Sequence, residues 1–312
     1  MDGASGSPNR EVSKEEEDQM TAKALQCMEI LGGLGRREER ISVKGIDAFL
    51  LAEPLPGHES GGDVQYASMC AAGRISRFAV ADVSGHGDAV AEFGVGLRDL
   101  MRRFINTPNQ ERMVQALNRE MGELVDHGIF ATFVIMTWFD PTRQAFICSA
   151  GHPDPLWYSA ELDQWMALSP SAFKRPNRDA AARVVNLPLG VIDGTEYEQF
   201  TVPIGAGDFI ILYTDHYIEA RSPDGDMLGV DGLRRLVAEC GADDASQLGR
   251  HLEAAVSAHL GSMPIEDDRS LLVIRFDPDI RSHISWLDRI RGMFLAMIPA
   301  SFARSRVEDL TA

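Results

Sequence analysis

The sequence predicts an α+β fold in which antiparallel β-sheets are covered by helices. The chain has 312 residues, of which 45% are hydrophobic, and this is enough to bury a sizeable core. Short apolar runs with strand-like composition alternate with turn residues from Ile46 to about Phe276. Helical patterns interrupt groups of strands instead of following every strand, which disfavours the βαβα alternation of a parallel sheet.

The predicted strands share short length, β-branched or aromatic residues and bounding turn residues. The turn sequence DPTRQ at 140–144 joins two of them, and GAGD at 205–208 precedes another. In chain order they are Ala48–Ala52, Ser76–Val83, Ala131–Phe139, Ala145–Ser149, Leu156–Tyr158, Gln199–Val202, Phe209–Tyr213 and Ser270–Phe276.

The predicted helices place apolar residues at a spacing of three or four. A short leading helix is predicted from Met20 to Leu34, where the GGLG at 32–35 ends the apolar pattern. The other predicted helices are Asp88–Asn106, Gln110–Asp126, Gly232–Glu239 and Asp244–Leu260.

The chain divides into four predicted parts. Residues 1–18 are polar and predicted to be disordered, residues 19–45 form the leading helix and a linker, and residues 46–277 form the folded domain. Residues 278–312 are an amphipathic helical tail that is too short to span a bilayer. The favoured interpretation is that the tail packs on its own domain or on a second copy as a homodimer, and attachment to a membrane surface is the weaker alternative.

Charge and cysteine content exclude several classes of protein. The chain has 47 acidic against 30 basic residues, a net charge of −17, which disfavours binding to nucleic acid or to anionic membranes. The four cysteines form no CxxC pair, so neither a zinc ribbon nor a disulfide framework is indicated. With no signal peptide and no transmembrane segment in the sequence, a cytosolic protein is expected.

Acidic residues lie at the edges of four apolar segments that are far apart in sequence. They are Asp63, Asp82, Asp215 and the pair Asp267 and Asp268. Carboxylates that are brought together repel one another, and they remain ionised together when a divalent cation neutralises them. An all-oxygen set favours Mg²⁺ or Mn²⁺ over zinc. The residues therefore indicate a carboxylate-rich metal site.

The order of these motifs resembles the SpoIIE-type branch of the PPM (PP2C-like) metal-dependent serine/threonine protein phosphatases. The resemblance covers about residues 46–277 and implies a sandwich of two antiparallel β-sheets flanked by helices, with the metals at one end. The motifs are GGD at 61–63, ADVSGHG at 81–87, ATF at 131–133, SAGHP at 149–153, LPLGV at 187–191, GAGDFIILYTD at 205–215 and EDDRSLLVI at 266–274.

The resemblance also implies roles for single residues. Asp82 resembles the carboxylate that bridges two Mn²⁺ or Mg²⁺ ions, and the carbonyl of Val83 resembles the backbone ligand beside it. Asp215 and Asp267 resemble the other direct ligands of the first ion and complete the catalytic set. Asp63 is expected near the second ion.

One assignment at the metal site stays open in the sequence. Asp268 competes with Asp267 as the direct ligand.

Two Mn²⁺ or Mg²⁺ ions held in this way would activate a water to attack phosphorus in line, so that no side-chain nucleophile is needed.

Other residues have two interpretations each. Lys174 and Arg175 belong to a basic cluster that is interpreted mainly as an exposed loop, with substrate docking as the alternative. His216 stands where the family usually has glycine, and it could contact phosphate or metal-bound water, or simply widen the turn. His86 and His152 are interpreted mainly as turn-stabilising residues.

The expected function is hydrolysis of phosphoserine or phosphothreonine on a partner protein. The resemblance implies an anti-anti-sigma-like regulator in a partner-switching pathway. Departures from the family pattern at Val64–Ala67, His216, Arg269 and Ser270 motivate an alternative, a catalytically silent phosphoprotein-binding module. A phosphodiesterase or nucleotide hydrolase is the weaker enzymatic alternative.

Overall fold

The computed structural model of the chain describes residues 23–25, 30–70, 73–85, 88–104, 107, 109–124, 129–170 and 184–280. The predicted disordered N-terminus, the tail beyond residue 280 and the basic pair Lys174 and Arg175 lie outside these residues.

One sheet of the described fold has seven strands in the order β1-β3-β4-β13-β12-β9-β10. Neighbouring strands in it are antiparallel, except that β1 pairs with β3 in parallel. The strands are β1 (Lys23–Ala24), β3 (Arg37–Val43), β4 (Ile46–Glu53), β9 (Leu156–Ser159), β10 (Gln164–Ala167), β12 (Phe209–Tyr213) and β13 (Arg269–Phe276).

The other sheet has six described strands in the order β11-β8-β7-β6-β5-β2, and all of its neighbours are antiparallel. Its strands are β2 (Ile30–Gly35), β5 (Ser60–Cys70), β6 (Ile75–Val83), β7 (Ala131–Phe139), β8 (Gln144–Ala150) and β11 (Gln199–Pro203).

Helices cover the outer faces of the two sheets. The helices are α1 (Asp88–Phe104), α2 (Gln110–Leu124), α3 (His216–Glu219), α4 (Gly229–Glu239) and α5 (Ala245–Leu260). Helices α1 and α2 pack on the six-stranded sheet, and α4 and α5 pack on the seven-stranded sheet. No helix within the described ranges combines the length and the apolar composition needed to cross a membrane.

Three apolar clusters follow from the alternation of side chains along the strands. On β6, Phe78 and Val80 point between the sheets, where they join residues of β4, β12 and β13. The alternate residues Ala79 and Ala81 pack with α1 and α2. A third cluster joins the outer face of the seven-stranded sheet to α4 and α5. The predicted α+β sandwich is therefore confirmed.

The leading helix predicted from Met20 to Leu34 is wrong where the structure describes it. Residues Ile30–Gly35 form β2, which pairs with β5, and the predicted linker that follows contains β3. Glycines have low helix propensity, and pairing along a sheet edge outweighs a weak apolar periodicity. The folded unit therefore begins before residue 46.

The GGD motif at 61–63 has the composition of a turn, but it lies within a strand. Ser60–Asp63 is the first part of β5, an eleven-residue strand that the sequence analysis missed. The two glycines hid the strand because glycine is depleted in strands, whereas here they allow close backbone approach.

Candidate metal centre

Two pairs of adjacent strands carry the predicted acids to the same end of the sandwich. In the six-stranded sheet, Asp63 lies in β5 and Asp82 lies next to the end of the neighbouring β6. In the facing sheet, Asp215 follows β12 by two residues, and Asp267 and Asp268 immediately precede the neighbouring β13. The fold therefore brings together acids that are up to about 200 residues apart.

The electrostatic coupling of these carboxylates shows that they converge. Burial and the charges of Asp215, Asp267 and Asp268 raise the pKa of Asp82 to about 7. Burial and the charge of Asp267 raise the pKa of Asp215 to about 6. Glu219 adds to both shifts. Uncompensated negative charge is therefore concentrated at this end of the fold.

Glu219 was missed by the sequence analysis. It lies in α3, four residues after Asp215, so that one helical turn separates the two acids. This i, i+4 spacing after a strand-end aspartate is the signal that could have identified it.

Asp63 is the most deeply placed acid of the group. It is buried, and the Thr214 hydroxyl donates a hydrogen bond to its Oδ2 at 3.0 Å. Burial and the charge of Asp82 hold the pKa of Asp63 well above its usual value. Thr214 also accepts from the backbone N–H of Ser270, which links β12 and β13 behind the site.

Ser270 departs from the family pattern, and its hydroxyl has a defined partner. The Gln65 side-chain amide of β5 donates to Ser270 Oγ at 2.6 Å, and both residues are buried. This hydrogen bond crosses between the two sheets. The unusual Gln65 and Ser270 are therefore a matched pair.

Asp268 has a structural contact at each carboxylate oxygen. Its Oδ1 accepts from the backbone N–H of Leu55 and its Oδ2 from that of Gly62, both at 2.6 Å. A Cβ added at Gly62 would lie 2.8 Å from the carbonyl oxygen of Val83, so the glycine permits β5 to approach the end of β6. Asp268 and Gly62 thereby fix the backbone on which Val83 presents its carbonyl.

His216 is the first residue of α3 and is buried. Burial, with a smaller contribution from the positive charge of Arg269, lowers its pKa to about 4, so the imidazole is neutral at pH 7. It lines a cavity of about 290 Å³ together with Asp215, Glu219 and Asp267. The residue that replaces the family's glycine is therefore at the site.

Arg269, another departure from the family, holds two acidic side chains beneath the site. Its guanidinium pairs with Glu53 of β4 and, at 2.7 Å, with Glu253 of α5. Glu253 also accepts from the Tyr217 hydroxyl at 2.8 Å. Arg269, Glu53 and Glu253 are each less than one fifth exposed, and Glu53 also pairs at 2.8 Å with the exposed Arg36.

Arg269→Met is expected to lower the free energy of unfolding by about 3 kcal/mol, because it leaves the largely buried Glu253 without its cation and Glu53 with only the exposed Arg36. Urea unfolding would measure the change. Arg234→Met is the matched control, since Arg234 makes an exposed pair with Asp231 and its loss should change stability by less than about 0.5 kcal/mol. Equal stability of the two variants would contradict the expectation.

His152 connects the two sheets directly below the acids. Its Nε2 lies 3.0 Å from the carbonyl oxygen of Tyr213 in β12, and its Nδ1 lies 2.8 Å from Thr132 Oγ1 in β7. A carbonyl can only accept, so Nε2 carries the proton and Nδ1 accepts from the threonine. Burial lowers the pKa of His152 to about 3, which keeps it neutral. Both ring nitrogens of His152 therefore have structural partners, and these lie in the two sheets instead of in the turn.

The acids fit a divalent metal centre by their chemistry. Within the described residues, no three His, Cys, Asp or Glu side chains are already gathered closely enough to hold an ion. The donors are all oxygen, and burial with mutual repulsion raises the pKa of Asp82 and Asp215. Hard cations such as Mg²⁺ and Mn²⁺ prefer such donors and would offset the repulsion.

Comparison with known proteins agrees with this geometry. The family model for stage II sporulation protein E (SpoIIE) matches residues 73–277, about two thirds of the chain. The chain is 23% identical over 267 residues to the phosphoserine phosphatase RsbU of Bacillus subtilis (strain 168), covering 85% of this chain and 72% of RsbU.

Solved structures show the same fold. The RsbU and RsbW domains of Rv1364c from Mycobacterium tuberculosis match with a TM-score of 0.60 and 25% identity, over 77% of this chain and 62% of that one. The chain therefore spans less than two thirds of that two-domain structure. The PP2C phosphatase domain of SpoIIE from Bacillus subtilis, solved with a fragment of its regulatory domain, matches with a TM-score of 0.62 and 16% identity, over 80% of this chain and 71% of that one. The chain belongs to the SpoIIE family and is a phosphatase of the PPM (PP2C-like) type.

Proposed function

We propose that this PPM-type phosphatase hydrolyses phosphoserine or phosphothreonine on a partner protein with the help of two Mg²⁺ or Mn²⁺ ions. The observation that carries the proposal is the convergence of Asp63, Asp82, Asp215 and Asp267 at one end of the sandwich, where burial and repulsion raise the pKa of Asp82 to about 7. Such an arrangement is unfavourable without cations and favourable with them.

In this proposal Asp82 would contribute to holding both ions. It is coupled to Asp215 and Asp267 of the facing sheet, and it is the charge that most affects Asp63 in its own sheet. In this proposal Asp215 and Asp267 hold the first ion with Asp82, and the Val83 carbonyl and Asp63 lie towards the second.

The contacts of Asp268 bear on the choice between the two neighbouring acids. Both oxygens of Asp268 accept backbone N–H groups, which orients the segment before β13. Asp267 lines the cavity beside Asp215 and raises its pKa. We therefore propose Asp267 as the direct ligand and Asp268 as a positioning residue.

The ions, when bound, would supply an activated water and neutralise charge on the phosphoryl oxygens. The residues of the chain bind and orient the reactants around them. His216, which is neutral and lines the cavity, can donate a hydrogen bond to a phosphoryl oxygen. Lys174 and Arg175 remain candidates for docking the phosphoprotein.

The proposed substrate is an anti-anti-sigma-like regulatory protein in the cytosol, as the relationship to RsbU suggests. The net charge of −17 disfavours a strongly acidic docking face, so the partner surface around the phosphorylated residue should be neutral or basic. Dimerisation through residues 278–312 is also part of this proposal.

Hydrolysis of phosphoserine peptides, with and without Mn²⁺, tests the proposal. We expect activity that requires Mn²⁺ or Mg²⁺, that EDTA abolishes, and that is higher for a peptide with basic flanks than for one with acidic flanks. The preference for basic flanks should weaken as ionic strength rises. Activity that persists in EDTA would overturn the two-metal mechanism, and equal activity on a panel of phosphodiesters would favour the nucleotide-hydrolase alternative.

One observation favours a second candidate function, a phosphoprotein-binding module without turnover. His216 lines the cavity beside Asp215, at a position where the resemblance implies a glycine, and its ring occupies space that a glycine would leave open. The His216→Gly variant distinguishes the two functions. If only this variant hydrolyses the peptide while the wild type binds it tightly in Mn²⁺, the chain is a binding module.

A further inference from the structure

A second cavity, of about 480 Å³, lies far from the metal centre. It opens on the helix-facing side of the six-stranded sheet, beyond the start of α2. Arg77 of β6 points to this side, because Ala79 and Ala81 on the same face pack with the helices. Asp82 lies five positions after Arg77 along β6, which corresponds to a distance of about 17 Å. The cavity is therefore distinct from the proposed active site.

Arg77 is a buried cation at this cavity without an acidic partner in the described residues. Only 8% of its surface is exposed, and its one described hydrogen bond runs from Nη2 to the Thr107 carbonyl oxygen at 3.0 Å. Burial is the main effect on the pKa of Arg77 and lowers it, and the groups that oppose this are Cys70 and Tyr66. Burial raises the pKa of Tyr66 to about 12, so it supplies no negative charge at pH 7.

The described part of the cavity wall contains no other charge to balance Arg77. Among the described lining residues Arg77 is the single charged one. An unpaired buried charge is unfavourable by several kcal/mol unless an anion neutralises it. The cavity is therefore expected to favour binding of a negatively charged ligand.

Two buried polar atoms beside the cavity lack partners within the described residues. They are Nε of Arg77 and Oε1 of Gln110. Gln110 is only 2% exposed, and its side-chain amide nitrogen donates to the Thr137 hydroxyl and to the Phe146 carbonyl oxygen. The glutamine is therefore held in place, while its Oε1 accepts no hydrogen bond from the described residues. Buried polar groups without partners are rare and commonly mark a binding function.

The rest of the cavity is apolar. Ile75, Phe139 and Phe146 line it and are each partly exposed. Its volume lies within the range of roughly 300–1,000 Å³ that is usual for small-molecule sites. An apolar wall with one buried cation suits a small amphipathic molecule better than a free inorganic ion.

We propose that this cavity binds a small organic anion, with a carboxylate or phosphate group paired to Arg77 and an apolar body against Ile75, Phe139 and Phe146. The site does not depend on the metal centre or on phosphatase activity. Because α2 begins at Gln110 beside the cavity, an occupant would contact an element that covers the sheet carrying Asp82.

Calorimetric titration of the metal-free protein in EDTA tests the site with two probes of the same shape. These are 3-phenylpropanoate, an anion, and 3-phenylpropanamide, its neutral analogue. We expect the anion to bind at least about tenfold more tightly, as a charge-assisted contact predicts. Arg77→Met should remove this preference for the anion. Phe146→Ala should lower the affinity for both probes by the same factor. Arg112→Met, which replaces an exposed arginine on α2, should change the affinity for neither probe.

The thermal stability of Arg77→Met gives an independent measurement. Removing an unpaired buried charge should maintain or raise the melting temperature of the unliganded protein. A fall of more than about 5 °C would show that Arg77 has an acidic partner within the chain, and it would overturn the proposal. Equal affinity for the two probes, or a preference that survives Arg77→Met, would also overturn it. None of these measurements requires catalysis, so they are separate from the test of the phosphatase.

Discussion

Asp82→Asn is expected to lower kcat/KM for a phosphoserine peptide on the order of 10³-fold in saturating Mn²⁺, because the amide cannot bridge two cations. The carboxylate of Asp82 is the group coupled to acids of both sheets. Steady-state hydrolysis of the peptide measures the change. The matched control is Asp231→Asn, since the Asp231 side chain is 88% exposed and lies outside the site.

The same substitution should stabilise the metal-free protein. Burial and neighbouring acids raise the pKa of Asp82 to about 7 in the folded state, above its unfolded value. A raised pKa means that stability present at low pH is lost as pH rises through the folded value, so the ionised carboxylate destabilises the protein at pH 8. Asp82→Asn removes this charge and should increase the free energy of unfolding on the order of 2 kcal/mol at pH 8.

Adding Mn²⁺ should make the wild type more stable than Asp82→Asn, the reverse of their order without metal. The wild type should become more stable with the metal, whereas Asp82→Asn should gain little, since metal binding stabilises the state that binds it. Urea unfolding with and without Mn²⁺ gives both values. Unchanged activity in Asp82→Asn, or a metal-free variant that is less stable than the wild type at pH 8, would contradict the proposed centre.

His152→Ala is expected to lower the free energy of unfolding by about 3 kcal/mol at pH 7. The substitution leaves the Tyr213 carbonyl and the Thr132 hydroxyl without the ring that joins them, and both lie in the interior between the sheets. Because Thr132 pairs with Asp82 across β6 and β7, and Tyr213 precedes Asp215 by two residues, the loss should also lower activity.

The pH dependence identifies the histidine as the cause. Burial lowers the folded pKa of His152 to about 3, so the neutral form is favoured in the fold. As pH falls below the unfolded value near 6.5, the unfolded chain takes up a proton and the folded chain does not, and stability is lost down to about pH 3. The stability difference between wild type and His152→Ala should therefore shrink by about 2 kcal/mol from pH 7 to pH 5.

The wild type must be compared with His152→Ala because the acids of the metal centre change stability with pH in the direction opposite to that of His152. The raised pKa of Asp82 and of Asp215 increases wild-type stability as pH falls. These contributions are common to both proteins and cancel in the difference. His58→Ala, a change at an exposed loop histidine, is the control for replacing a histidine and should change stability at pH 7 by less than about 0.5 kcal/mol. A constant difference between pH 7 and pH 5 for His152→Ala would reject the inter-sheet role.

Much of the central fold follows from local sequence patterns. Strands such as Phe209–Tyr213 and Ile75–Val83 are apolar over most of their length, and turn residues bound them, so their positions can be predicted. The acids at their ends are equally visible, because a strand-end position is a local property. The motif order was enough to indicate the family.

Strands β3 and β5 could not be predicted from the sequence in the same way. Strand β3 contains four charged residues in REERISV, and β5 begins with two glycines, so neither has a simple strand pattern. Both form because neighbouring strands pair with them, over 37–43 in β3 and mainly over 64–70 in β5. Tertiary pairing of this kind outweighs local propensity.

The roles within the site depended on partners that are distant along the chain. Asp267 and Asp268 are adjacent and chemically identical, and the sequence left them as alternatives. The fold brings the N–H groups of Leu55 and Gly62, more than 200 residues away, to the oxygens of Asp268. In the same way it leaves Arg77 at a cavity wall without an acidic partner among the residues that the structure describes. Composition and spacing along the chain identify which charged groups are present, but the partner of each group, and hence its chemical role, is set by contacts between distant segments when the two sheets pack together.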